Sequence, residues 1–221
     1  FFFQADDGIR ASVASRGLGD VYKRQVEPEI RSRFMRMEPG EDGGPPHSHD
    51  LGHEIFIVLE GRAEFTIDGE TGEVGPGQMC IALVDQLHTL KVLGDEPMTM
   101  YLSVTPHIQP THTQWSTDGK RMPHRFNSSN AYDVKTDTDT PLPELLNQLA
   151  KAIKLVEKAA KNAAIEQERS SEDLGNAIAS DNLILASSLR NAIWDSMTGI
   201  FQKTAELADL WNDIAPRSGK T

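Results

Sequence analysis

His47-Ser48-His49-Asp50-Leu51-Gly52-His53-Glu54, running directly into Ile55-Phe56-Ile57-Val58-Leu59, is the stretch on which the reading of this chain turns. Residues two apart on an extended strand point to one face, so the imidazoles of His47 and His49 share a side. After a short turn from Asp50 to Gly52, Glu54 opens an apolar strand, where burying a carboxylate is costly unless a cation compensates it. His88 follows the buried-looking strand Met79–Leu83 on a separate pass of the chain and completes a set of four by closing from a facing strand. A single strand histidine is usually a surface or hydrogen-bonded core residue. A pair at i and i+2, with a carboxylate at the head of an apolar strand, is the pattern of a metal site. His53 adjoins Glu54, and alternation turns it away from that face.

Outward from this stretch, Ile30 to about Thr105 is a succession of short apolar runs punctuated by Gly, Pro and Asp, an all-β pattern. The runs are Arg33–Met37, Glu54–Leu59, Ala63–Ile67, Met79–Leu83, Thr89–Leu93 and Met98–Val104. Asp68-Gly69 is a hairpin signal, because Gly tolerates the positive φ that tight turns require. Strands this short and this closely spaced suit a sandwich or small barrel. From Pro141 the period becomes helical: Leu142, Leu146, Leu149, Ile153, Val156, Ala160 and Ala163 recur at four- and three-residue steps. Thr140 is placed to cap this helix, with Pro141 at its first position. An interruption at Arg169-Ser170-Ser171 starts a second helix, Ser170 and Asp173 forming its capping pair, with a further break available near Ser180-Asp181. The expected organisation is a leader over 1–25, a β domain over 26–110, a loop or linker over 111–140, a helical hairpin over 141–215 and a disordered tail over 216–221.

The leader, FFFQADDGIRASVASRGLGDVYKRQ, has no initiator Met, no basic n-region and no alternation that continues into the pattern from Ile30. It is not a signal peptide. It resembles translated sequencing-adapter sequence from assembled environmental DNA, and the expectation is an artefactual or disordered segment that displaces the natural N-terminus.

Composition narrows the function classes. With 22 Lys and Arg against 33 Asp and Glu, the net charge of -11 opposes binding to a polyanion, so no nucleic-acid partner is expected. The longest apolar run, Met79 to Val84, falls far short of the roughly 20 residues a membrane helix needs, so no membrane partner is expected either. The single cysteine, Cys80, excludes an internal disulfide and a thiolate cluster, which leaves nitrogen and oxygen as metal ligands and fits a reducing cytoplasm. Cys80 itself reads as inert packing in an apolar strand.

The spacing His47-x-His49-x4-Glu54-x6-Gly61 resembles the first motif of the cupin superfamily, G-x5-H-x-H-x(3,4)-E-x6-G, from its first His onward. The leading Gly is displaced, since Glu41 stands six residues before His47. Of the second motif, G-x5-P-x-G-x2-H-x3-N, only Gly77 and His88 survive; Leu83, Asp85 and Val92 occupy the other places. The resemblance runs from Ile30 to Val104, about a third of the chain, and the short interval from Gly61 to Gly77 is that of compact members. It implies a mainly β fold, a conical double-stranded β-helix or jelly-roll barrel, here followed by a C-terminal α-helical hairpin. It also implies a divalent metal site of His47, His49, Glu54 and His88.

Three imidazoles and a carboxylate suit Fe, Mn, Zn, Ni or Co without selecting between them. Four protein ligands on an octahedral ion leave two positions for water, dioxygen or a bidentate substrate, so the ion can act as a Lewis acid or as a redox centre. The expected function is that of a small-molecule metalloenzyme, oxygenase-like by preference, with isomerase, decarboxylase and lyase chemistry open and catalytic residues unassigned. The alternative is a non-catalytic binding or sensing module with a helical assembly tail. A DNA-binding reading of the tail is disfavoured, because the lysines at 151, 154, 158 and 161 sit on one helix and acidic residues dominate the other. Two apolar helical stripes need a partner, which points to a homo-oligomer, a dimer. Tyr101, in phase with Thr99 and Ser103, is a candidate inward proton relay. His107 and His112 are candidates for lining the barrel mouth, though solvation is the default for loop histidines. Phe34, Met37, Phe56, Met79 and Tyr101 are the expected apolar lining of the cavity.

Overall fold

The computed structural model describes residues 21–27, 30–127 and 137–218. These divide into a β unit and a helical unit, the latter spanning Asp137–Ser218. The strands of the β unit are β1 Val21–Glu27, β2 Ile30–Met37, β3 His47–Ser48, β4 His53–Glu60, β5 Arg62–Ile67, β6 Glu70–Val74, β7 Met79–Ala82, β8 His88–Leu93, β9 Met98–Thr105 and β10 Thr113–Gln114. They form two five-stranded sheets of order β1-β2-β9-β4-β7 and β10-β3-β8-β5-β6, paired antiparallel throughout.

Alternation decides which side chains enter the space between the sheets. Along β9, Met98, Met100, Leu102 and Val104 are buried, and the first three of them meet Phe56 and Val58 of β4, Phe65 of β5 and Leu90 and Val92 of β8 in one core. The Phe56 and Phe65 rings, one from each sheet, lie 5.0 Å apart. Each large side chain buried there contributes about 1.5–3 kcal/mol. Tyr101 falls in the opposite phase: its hydroxyl pairs with Ser32 Oγ at 2.8 Å and its ring packs edge-on to Phe34 at 5.7 Å. The inward proton relay expected of Tyr101 is therefore corrected. Phe34 and Met79 leave the expected cavity lining for the same reason, Met79 being 56% exposed, while Met37 and Phe56 enter the core.

The hairpin expected at Asp68-Gly69 joins β5 to β6, with φ of 51° and 83° at the two central residues, the pair of left-handed conformations that matches strand twist. Gly61 has a second reason to be glycine. Its φ is +69°, and a Cβ there would come within 2.5 Å of the Pro97 carbonyl oxygen and 2.7 Å of Met98 Cα. Residues 1–20 of the expected leader lie outside the described residues. The end of that segment belongs to β1, which pairs with β2 from Val21↔Met35 to Glu27↔Ile30. The expected loop over 111–140 likewise contributes β10, paired with β3.

In the helical unit, α1 Leu142–Ala179 and α2 Leu183–Ile214 pack together. The interruption expected at Arg169-Ser170-Ser171 does not occur. Ser170 Oγ donates to Glu166 Oε1 at 2.6 Å and Ser171 Oγ to the Gln167 carbonyl at 2.6 Å, so both hydroxyls are satisfied one turn back and the helix continues. The chain reverses instead at Ser180–Asn182, where Asp181 takes φ of 56° and Asn182 accepts from the Leu185 amide. At the other end the cap is Pro141, with no side-chain bond, rather than Thr140. Thr140 is engaged elsewhere: Arg217 donates to the carbonyls of Asp137 and Thr140, both at 2.9 Å, tying the two ends of the pair together.

Gly61→Ala combines left-handed strain with a backbone clash and is expected to cost about 2–4 kcal/mol. Gly77→Ala, with φ of +77° but open space around it, is expected to cost only about 1 kcal/mol. Urea midpoints of the two variants against the parent measure the difference, and equal losses would show that close approach to Pro97 is immaterial.

Candidate metal centre

The four residues that the sequence singled out come together from three strands and one loop. His47 of β3 stands in register with His88 of β8. His88 is thus on the neighbouring strand of the same sheet, not on a facing one as expected. It is Glu54, on β4 between Ala82 and Val104, that arrives from the opposite sheet. One ligand atom from each of His47, His49, Glu54 and His88 lies within 4.8 Å of all the others. His49, Glu54 and His88 are at most 3% exposed. Glu54 Oε2 is 2.8 Å from His49 Nε2, 2.8 Å from His88 Nε2 and 3.9 Å from His47 Nε2.

The other nitrogen of each ring determines what these contacts mean. His88 Nδ1 faces the Gln86 carbonyl at 2.9 Å, His49 Nδ1 faces the Thr111 carbonyl, and His47 Nδ1 faces the Pro45 carbonyl at a longer 3.4 Å. A carbonyl oxygen only accepts, so each Nδ1 carries its proton and donates it. A neutral ring then presents a lone pair at Nε2, and all three lone pairs converge on a carboxylate that is itself only an acceptor. Two remedies exist. Either His49 and His88 each hold a second proton, so that two imidazolium ions surround Glu54, or one divalent cation supplies the same two charges. The backbone carbonyls already orient these rings as they are oriented in metal sites.

The electrostatics follow this crowding. Burial pushes the Glu54 carboxyl up, but contacts with His49 and His88 and the charges of His49 and Arg31 outweigh it and hold it well below the usual range. Burial and then the His88 charge pull His47 down to about 4. Burial also works against charging His88, yet contact with Glu54 prevails and raises it. Arg31, buried on β2, reaches within 4.0 Å of Glu54 Oε1.

Of the neighbouring histidines, one is where sequence reasoning put it and two are not. His53 is exposed, and its Nδ1 accepts from the Val84 amide at 3.1 Å, away from the cluster as its alternation required. His107 is fully buried, and burial, followed by Arg31 and His49, brings it down to about 3. His112 packs its ring 4.8 Å from that of His47 and 5.0 Å from that of His49. Solvated loop histidines they are not. Arg31 and Thr111 form a further layer of the site that sequence reasoning missed, together with His112, which it offered only as a lining of the barrel mouth. Arg31 left one legible signal, its inward phase with Met35 and Met37; Thr111 and His112 sit in irregular chain with no period to read. On another flank, an open cavity of about 550 Å³ is lined by Phe65, Ile67, Cys80 and Gln86 among others.

Residues 33–105 match the family model of the cupin domain. Over 70 residues the chain is 34% identical to the polyketide synthase CurC of Streptomyces cyaneus, covering 32% of this chain and 45% of that protein, so it spans less than half that relative's length. Among solved structures it is similar to the TT1209 protein of Thermus thermophilus, at 15% identity over 47% of this chain and 98% of that one, with a TM-score of 0.40. It is also similar to a conserved protein with a double-stranded β-helix domain from Klebsiella pneumoniae, at 23% identity over 44% and 81% of the two chains, with a TM-score of 0.39.

Burial, reinforced by the Glu54 charge, pushes the Cys80 thiol up to about 12. At pH 8 the folded protein is expected to resist iodoacetamide while the urea-unfolded chain is alkylated. Mass spectrometry reads both, and rapid labelling of the native protein would contradict this placement of Cys80.

Proposed function

We propose that this protein, whose residues 33–105 match the family model of the cupin domain, is a small-molecule metalloenzyme that holds one divalent ion on His47, His49, Glu54 and His88. The observation that carries this reading is the proton arrangement. Three rings with Nδ1 committed to backbone carbonyls direct Nε2 lone pairs at one buried carboxylate, an arrangement a divalent cation satisfies without charging the rings. Fe, Mn, Zn, Ni and Co all suit the donor set. When bound, such an ion supplies Lewis acidity or, for a redox metal, electron transfer to an oxygen-rich ligand, dioxygen included.

The chain's own contribution is orientation and exclusion of water. Glu54 brings the one negative charge of the quartet from the opposite sheet, so the cluster clamps the two sheets at this point. The carbonyls of Thr111 and Gln86 fix the ring planes of His49 and His88. The core behind them, Phe56 within 6.0 Å of the His88 ring, keeps the inner side of the site apolar.

The helical unit supports assembly into a homodimer. Of the wide apolar stripe of α1, Leu145, Ala152, Ala163 and Ala177 are buried, while Leu146 and Ile153 remain about half exposed at 47% and 52%. On α2, Trp194 and Phe201, one helical repeat apart, are 58% and 61% exposed. A second copy offers the same surface and completes a four-helix bundle.

Protein purified without chelator is expected to carry close to one divalent ion per chain by elemental analysis. His49→Ala and Glu54→Gln should each lose most of it, and full retention by either variant would remove that residue from the ligand set. Because ligating imidazoles must be neutral, and Glu54 makes His88 the ring that takes a second proton most readily, occupancy should fall with falling pH through the range in which His88 charges, before His47 does at about 4. For the assembly, Trp194→Glu combined with Phe201→Glu is expected to halve the mass seen by sedimentation. An unchanged mass would place the interface elsewhere.

A further inference from the structure

The four candidate ligands are not held equally. Glu54 lies on β4, which is paired on one side with β7 and on the other with β9, and His88 opens β8, which pairs with β5 from His88↔Ile67 to Leu93↔Arg62. His47 and His49 belong instead to a strand of two residues and the turn after it. On the β8 side that strand has one register pair, His47↔His88, and the Asp85 amide donates to the His49 carbonyl at 2.9 Å. So short a strand does not keep its place by itself. The segment that follows β9 supplies the rest of the hold.

That segment, Thr111 to Met122, is a strap. Thr113 and Gln114 pair with Ser48 and His47. The Trp115 indole donates to Ser48 Oγ at 3.0 Å, Thr113 Oγ1 donates to Asp50 Oδ1, and Arg121 Nη2 donates to Asp50 Oδ2. The chain reaches Arg121 by doubling back: the Ser116 amide donates to the Lys120 carbonyl at 2.9 Å and the Met122 amide to the Gln114 carbonyl at 2.8 Å, which sets Arg121 opposite Trp115. Along His47-Ser48-His49-Asp50, alternate residues therefore serve two ends, the histidines the centre and Ser48 and Asp50 the strap. The strap returns the hold, since the Thr111 carbonyl takes the Nδ1 proton of His49 and the His112 ring lies 4.8 and 5.0 Å from those of His47 and His49. What is fastened is buried, Thr111 and Thr113 included, but the fastening is not: the Asp50 and Arg121 side chains are 30% and 45% exposed. An ion pair this open to water holds less firmly than packed apolar surface. Detaching the strap thus disturbs less than parting the sheets, which would uncover Phe56, Met100 and Leu102.

We propose that Asp50 is a positioning residue, the latch of this strap, and that the centre takes up and releases its ion by detachment of the strap. With Asp50 unfastened, Thr111 withdraws from His49 and the strand carrying His47 and His49 moves off Glu54 and His88. Asp50 acts through Thr113 and Arg121 and is not itself a ligand, so it governs how fast the ion exchanges and not how many ions are held. Linkage makes the effect reciprocal: an ion that needs the strap in place also keeps it in place. The inference rests on the metal reading given above, so its test reads strap and ion separately.

Hydrogen exchange of the full-length protein, read by mass spectrometry on the peptide covering residues 111–122, follows the strap with and without Co(II). Decay of the cobalt visible absorption in excess EDTA follows the ion. Loading the parent with cobalt is expected to slow exchange in the strap. Asp50→Asn, which keeps an acceptor for Thr113 and removes the charge facing Arg121, should still bind close to one cobalt per chain, exchange its strap roughly tenfold faster and surrender its cobalt faster by a similar factor. Arg121→Gln breaks the same pair from the strap side and should do likewise, so the outcome does not hinge on the folding of one variant. Arg62→Gln, which removes an exposed ion pair with Glu73 on β6, should alter neither reading. Cobalt release at the parent rate in both Asp50→Asn and Arg121→Gln overturns the latch, whether or not the strap exchanges faster. Equal acceleration in Arg62→Gln overturns it as well, by making the effect one of general stability, and so does loss of cobalt capacity at saturation in both latch variants. Failure of the parent to take up cobalt overturns the metal centre and the role given to the strap with it, a result that cobalt content alone distinguishes from the others.

Discussion

The buried carboxylate of Glu54 is the constraint around which the β unit is arranged. An anion placed between two sheets has no water to solvate it, and the apolar neighbours at 55–59 give nothing in return. What compensates it is drawn from near and far along the chain: His49 from the preceding turn, His88 from the opposite sheet, Arg31 two strands away. Remove that convergence and β4 would carry an isolated charge into the core. With it, the least favourable residue of the strand becomes the point at which two sheets are held in register.

Proton bookkeeping turns this cluster from a set of nearby side chains into a site. Distances alone are equally compatible with a salt-bridged knot of imidazolium and carboxylate. The backbone carbonyls at Gln86 and Thr111 take the Nδ1 protons, so each convergent Nε2 either carries a second proton toward Glu54 or offers its electron pair to a cation. The layer beyond them obeys a different rule, since Thr111 offers His112 a hydroxyl that can reverse its role. The inner rings are held by fixed acceptors, and their neighbour by a group that can either donate or accept.

The two units solve burial differently. In the β unit the two sheets cover each other's inner faces, and the outward side chains include the Tyr101–Ser32 pair as well as the exposed Met79 and Leu83. Two helices have too little mutual surface to cover a stripe as wide as that of α1, so leucine, isoleucine, tryptophan and phenylalanine side chains stay in water. The width of that exposed stripe, not the length of the helices, is the physical reason to expect a partner for Asp137–Ser218. The continuity of α1 through Ser170 makes the same point locally: a serine followed by an acidic residue reads as a start signal, yet with Glu166 one turn behind it the hydroxyl is satisfied inside the helix.

The sequence by itself determined what depends on near neighbours. Spacing two apart placed His47 and His49 on one face, alternation sent His53 the other way, Asp68-Gly69 set a hairpin, and the change of period at Pro141 marked the passage from strand to helix. Tertiary structure decided whatever depends on residues distant in the chain. It chose the sheet from which each ligand arrives, turned Tyr101 and Phe34 outward, and set Arg31 beside Glu54. It also folded irregular chain at Thr111 and His112 against the ligand rings. Local periodicity carries no information about such meetings, because a loop histidine has the same neighbours in sequence whether it ends in solvent or against an imidazole. Only the pairing of β10 with β3, which carries the 106–115 segment across the site, distinguishes the two.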